Sequence, residues 1–92
     1  MKKQLGQSAI NLKKNFRKLK LDKYRNAREM AEDLVISESY LYDIISLKTD
    51  KVPSVPLVEY TSEKHKIPFT SFFEDIDIDK YEKKIKDQNK RK

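Results

Sequence analysis

Few residues in this 92-residue chain have the type and spacing that covalent chemistry needs. His65 is the single histidine and cysteine is absent, so the chain has no His or Cys pair to ligate a metal and no thiolate nucleophile, and His65 is expected as a packing residue. Gly6 is the only glycine, which leaves no loop able to wrap its backbone around a phosphate. Carboxylates occur singly along amphipathic faces, and no serine, histidine and acid suggest a triad. The expectation is no catalytic residue, no cofactor and no metal: not an enzyme.

Binding chemistry is better represented. The formal net charge is +6, and residues 1–28 hold ten lysines and arginines against the single acid Asp22. Positive potential concentrated at the front of the molecule suits an anionic partner such as nucleic acid or a membrane surface. The stretch REMAEDLVISESYLYDII, residues 28–45, runs the other way, because Glu38 and Asp43 lie in a segment, 37–46, without a base. The opening MKKQLGQSAINLKKN has two lysines with no apolar run behind them, unlike a signal peptide, and no run approaches the ~18 apolar residues of a membrane helix. A cytoplasmic protein is expected.

The elements that must position these residues read as helices. Leu5, Ala9, Leu12, Phe16 and Leu19 recur every three or four positions and predict a first helix over about Ser8 to Leu21. Asn26 followed by Glu29 marks the start of a second, whose inner face is Met30, Ala31 and Leu34. The small Ala31 lets another helix cross closely. Ser37 is a ready cap for a third helix, about Glu38 to Ser46, with Leu41, Ile44 and Ile45 inward. Its hydroxyl and backbone N–H could also meet a phosphate. LKTDKVPSVP is a loop, after which Ser54 and Pro56 open a fourth helix, about Val55 to Lys64, turning Val58, Thr61, Ser62 and His65 inward. Ile67, Phe69, Phe72 and Phe73 predict a short fifth helix capped by Thr70. The ending DKYEKKIKDQNKRK carries Ile78, Tyr81 and Ile85 at helical spacing, as a frayed helix or an arm. The fold class is all-α, with a basic arm over 1–7, the main domain over 8–76 and a charged tail over 77–92.

Two helices joined by a turn of three or four residues form a helix-turn-helix unit, in which the second helix enters the major groove. With NAREMAEDLVISESYLYDII for that pair, VPSVPLVEY opening the next helix and IPFTSFFED after it, the chain resembles the lambda-repressor-like helix-turn-helix proteins. These are the phage repressor and Cro type, also called the xenobiotic-response-element (XRE) family. The resemblance covers about Leu12 to Asp75. It implies a compact five-helix bundle, a transcriptional regulator without cofactor, and a homodimer on the palindromic operator of double-stranded DNA.

Carried over by position, the resemblance puts Glu38, Ser39, Tyr42 and Asp43 toward bases. It puts Asn26, Arg28, Ser37, Lys48, Thr49 and Lys51 on phosphates. It also makes Lys13 and Lys14 solubilising surface, and Lys2 and Lys3 an arm that reaches the duplex. Val35 stands where the family has glycine, so a reshaped turn is expected. Ala27 replaces a phosphate-clamping glutamine, and Ile45 replaces a glutamate that would partner Lys20. Phe69, Phe72 or Phe73, or the stripe Ile78, Tyr81, Ile85, is expected at a dimer or protein contact. The alternative is a protein-binding module on the same fold, its acidic third helix facing an antirepressor- or antitoxin-like partner.

Overall fold

The structure, a computed structural model, describes residues 6–90, the side chains of 87–90 excepted. The expected arm with Lys2 and Lys3, and Leu5 of the first stripe, lie outside the described residues. Among those residues the chain is all-helical, with five α-helices and no strand: α1 (Gln7–Lys23), α2 (Ala27–Leu34), α3 (Glu38–Ile45), α4 (Val55–His65) and α5 (Ile78–Lys90). A 3-10 turn, Phe69–Phe73, lies between α4 and α5. None of these helices is long and apolar enough to cross a membrane.

α1 is the post around which the rest is arranged; the 3-10 turn, α3 and α5 all pack on it. Its stripe Leu12, Phe16 and Leu19 is buried, with Phe16 against Phe72 at 5.4 Å between ring centroids. At about 3.6 residues per turn, the odd-numbered polar residues 11, 13, 15 and 17 fall in two pairs, one on each flank of that stripe. Asn11 and Asn15 form one pair. Asn11 donates to the Phe73 carbonyl (3.1 Å), and Asn15 donates to those of Phe72 and Glu74 (2.9 Å each). The 3-10 turn thus has its carbonyls satisfied by α1 while Phe72 fills the core.

α2 packs on α3 and α4. Asn26 accepts a hydrogen bond from the Glu29 backbone N–H (2.8 Å), the cap its position predicts. Met30, Ala31 and Leu34 are buried as expected. The turn after α2 is not reshaped. Val35 adopts the left-handed conformation itself, at φ 58° and ψ 46°, with the Ile36 N–H bonded to the Ala31 carbonyl (3.0 Å). α4 ends the same way: Lys66 has φ 54° and the Ile67 N–H reaches the Ser62 carbonyl (3.0 Å). In both turns the isoleucine that follows packs on the core, and that burial offsets the strain of a side chain at positive φ.

Two expectations near the C-terminus are corrected. The segment after Pro68 is too short and aromatic-rich for an α-helix; it makes one 3-10 turn in which Thr70 lies inside rather than at the cap. The fifth α-helix is instead the charged segment, because Ile78 is buried and Tyr81 and Ile85 are half-buried in the packing of α5 on α1. That stripe is therefore spent within the chain. Of the three phenylalanines, Phe72 is core and Phe73 packs against it, while Phe69 keeps 37 % of its surface.

The strain at Val35 generates a test. A left-handed β-branched residue costs about 1–2 kcal/mol, and Val35 is 80 % exposed, so little packing is lost with its side chain. Val35→Gly should raise stability by about 1 kcal/mol and the melting temperature by about 4–8 °C. A lowered melting temperature would show that the turn is not strained.

Candidate nucleic-acid interface

α3 begins at Ser37, whose Oγ accepts the Tyr40 backbone N–H at 3.0 Å. Leu41 and Ile44 are fully buried and Ile45 nearly so, which fixes the inner face of the helix. The outer face follows from the same periodicity: Glu38 and Ser39 are exposed, and Tyr42 keeps 53 % of its surface. Tyr40, on the other side of Leu41, packs partly against the core, so the two tyrosines divide as their positions predict.

The C-terminal end of α3 is held by α1. Helix ends leave carbonyls without partners and carry partial negative charge, and the second flanking pair on α1 is cationic. Lys13, 1 % exposed, donates from Nζ to the Asp43 carbonyl (2.9 Å), the Thr49 Oγ1 (2.9 Å) and the Lys51 carbonyl. Three acceptors match the three N–H bonds of an ammonium. Thr49 Oγ1 in turn donates to the Asp43 carbonyl, closing the loop onto the helix end. Arg17, one turn along α1, donates to the Ile45 carbonyl at 3.3 Å. Lys13 is thus not solubilising surface but the clip that fixes the loop 46–51 against α3. Burial pushes its pKa below the ordinary lysine value, opposed by Asp43 and Asp50.

The remaining sequence-derived positions sort by what already occupies them. Lys48 is exposed, with its backbone N–H on Ser46 Oγ (3.2 Å). Lys51 Nζ lies 3.6 Å from the Asp43 carboxylate, so a base-facing and a phosphate-facing candidate partly neutralise each other. The Thr49 hydroxyl is engaged internally. Arg28 pairs with Glu32 one turn on (3.3 Å), with both side chains largely exposed. Asn26 and Ser37 each cap a helix and stand exposed beside it. Ser37–Asp43 and Lys48–Lys51 come together around α3, whereas Asn26 and Arg28 sit at the start of α2.

A second polar cluster, which the sequence reading did not single out beyond an inward His65, ties α1 to α2 and α4. Tyr24 donates its hydroxyl proton to Asp33 (2.5 Å), so the contact with His65 Nε2 (2.7 Å) requires the imidazole to be the donor. Lys64 pairs with the other Asp33 oxygen at 3.1 Å. Burial, reinforced by the hydrogen bond to Asp33, raises the Tyr24 pKa, so its hydroxyl stays protonated. The Tyr24 hydrogen bond holds Asp33 below the ordinary carboxylate pKa. His65 is held below the ordinary histidine value, chiefly by burial; Lys64 and Lys23 reinforce this and Asp33 opposes it.

Two measurements follow. Lys13→Met leaves buried acceptors without a donor and should cost about 1–3 kcal/mol by chemical denaturation; an unchanged midpoint would mean that the clip holds nothing. Because the unfolded chain protonates His65 before the folded one does, stability should fall as pH drops through the ordinary histidine pKa and level off below the folded value. His65→Gln should flatten that slope below the ordinary histidine pKa of about 6.5. Equal slopes would dissociate His65 from the acid sensitivity. Comparison with protein-family models, with curated proteins and with solved structures returned no match to this chain.

Proposed function

We propose that the chain is a sequence-specific DNA-binding transcriptional regulator of the lambda-repressor-like helix-turn-helix kind. It acts as a homodimeric repressor that occludes a promoter by binding a palindromic operator. The observation that carries this reading is the disposition of α3. Its inner face is sealed by Leu41 and Ile44 at 0 % exposure, and its N-terminal end and outer face stand clear of the bundle.

A short helix anchored this way can enter a major groove without rearrangement, with its half-sites about one helical turn apart in a dimer. Ser39 and Tyr42 offer hydroxyls to base edges, and Tyr42 also offers a ring face to a thymine methyl or a sugar. Glu38 suits the amino group of cytosine. Asn26, Ser37 and Lys48, all exposed, supply phosphate contacts that set orientation rather than sequence. The pairing of Lys51 with Asp43 lowers the repulsion of an acidic helix face by phosphates, which for one pair 4 Å apart in water is about 1 kcal/mol. Of Phe69, Phe72 and Phe73, Phe69 is the one left exposed for a dimer contact.

The absence of any base in 37–46 and the exposed Glu38 favour a second reading, in which α3 docks on a basic protein partner of antirepressor or antitoxin type. Anisotropy titration with mixed-sequence duplex DNA at two salt concentrations separates the two. Saturable, salt-sensitive binding supports the regulator, and no binding at low salt supports the protein module. For the regulator, Lys48→Gln with Lys51→Gln should weaken binding to every duplex alike. It should also reduce the slope of log affinity against log salt by about 1, the share of Lys48, since Lys51 is matched by Asp43. Ser39→Ala or Tyr42→Ala should change which sites are selected from a random pool, with a discrimination loss of about 1–3 kcal/mol at the affected base pair. Unaltered selection by both variants would remove these side chains from readout.

A further inference from the structure

On α1, Lys13, Arg17 and Lys20 recur at intervals of four and three residues and so form one row along the helix. The first two are spent on the C-terminal end of α3, Lys13 on the Asp43 carbonyl and Arg17 on that of Ile45. Lys20, the next cation of the row, is half-buried beside the same helix. Its ammonium takes part in none of the ion pairs formed among the described residues.

Lys20 lines a groove of about 360 Å³ where α1, α3 and α5 meet. Leu21 and Ile45 contribute apolar surface to it, and the stem of a lysine packs on such surface while its ammonium stays in water. Tyr42 and Ser46, also in the lining, each carry a hydroxyl. Ser46 Oγ accepts the Lys48 backbone N–H (3.2 Å), which leaves its own proton to donate. The acid of the lining, Glu82, is held by Arg17 through Nε (2.6 Å) and Nη2 (3.5 Å). Those two charges cancel, and the groove keeps the positive charge of Lys20. Tyr42 is exposed on the outer face of α3 as well, so the groove lies alongside the surface proposed to meet bases.

We infer that this groove receives one phosphate of the duplex backbone, with Lys20 supplying the charge and the Ser46 and Tyr42 hydroxyls supplying hydrogen bonds. This rests on the proposed DNA-binding role of α3 and adds to it a contact made from α1. A phosphodiester matches the lining: it carries one negative charge for one ammonium, and its oxygens accept from hydroxyls. Ile45, the neighbour of Lys20 on α3, offers no carboxylate that would compete for the ammonium. A contact to the backbone adds affinity without adding sequence preference.

Lys18 provides the control. It stands two residues from Lys20 on α1 but lines a different groove, with Tyr81 and Lys84, so its loss removes the same charge away from α3. Anisotropy titrations use a duplex selected from a random pool, over a range of salt. Lys20→Gln should bind about tenfold more weakly at about 0.1 M salt, with a salt slope shallower by about 1. Lys20→Arg should stay within about threefold of the unaltered protein, and Lys18→Gln within about twofold. The sites that Lys20→Gln selects from the pool should be unchanged, and its thermal melt by circular dichroism should coincide with that of the unaltered protein. A lowered melting temperature would reveal an internal partner for Lys20 and overturn the inference. Equal losses from Lys18→Gln and Lys20→Gln would reduce the effect to net charge and overturn it too. Normal binding by Lys20→Gln beside weakened binding by Lys48→Gln would overturn it while leaving α3 as the DNA-binding helix. No binding of duplex by the unaltered protein would remove both.

Discussion

The buried ammonium of Lys13 meets three oxygens where α3 ends and the loop to α4 begins, and the presentation of α3 depends on that meeting. A lysine is rarely enclosed unless its charge is matched, and here the match is made by the backbone of the very segment that needs donors. Asn11 and Asn15 perform the same service for the 3-10 turn on the other flank of α1. One helix thus does two jobs: its stripe builds the core, and its flanks close the irregular backbone that the core cannot satisfy.

From this follows the contrast between the two faces of α3. A helix of eight residues has little stability of its own. It is held by Leu41, Ile44 and Ile45 beneath, by Ser37 at its start, and by Lys13 and Arg17 at its end. With every internal constraint placed behind or at the ends, the outer face is free to vary in chemistry. The identities of Glu38, Ser39 and Tyr42 are therefore not dictated by the fold. The left-handed Val35 and Lys66 show the opposite situation, where packing of the next isoleucine imposes a conformation that the residue itself disfavours.

Helices α1 to α4 and most of their buried faces were legible in the sequence, because apolar spacing, the Asn26, Ser37 and Ser54 caps and the prolines all pointed one way. The division between Tyr40 and Tyr42 followed from their places on either side of Leu41. The role of Lys13 was not legible. A lysine in a basic helix looks like surface, and only the fold brings the end of α3 and residues 49–51 over it. Tyr24 stayed hidden for the same reason, since its partners Asp33 and His65 lie on other helices. The stripe Ile78, Tyr81, Ile85 was visible, but its use against α1 could not be told from use against another chain. Nor could spacing alone distinguish a single 3-10 turn from a short α-helix around Phe69–Phe73.

The most direct test is to follow the backbone amide resonances of the isotopically labelled protein while duplex DNA selected from a random pool is added. If α3, held from behind by α1, is the element that meets DNA, the largest changes fall on residues 37–43 and 48–51 and at the start of α2, while the amides facing the core stay in place. Changes centred instead on α4 and the 3-10 turn, or no changes at saturating DNA, would contradict the claim that α3 is the element presented to nucleic acid.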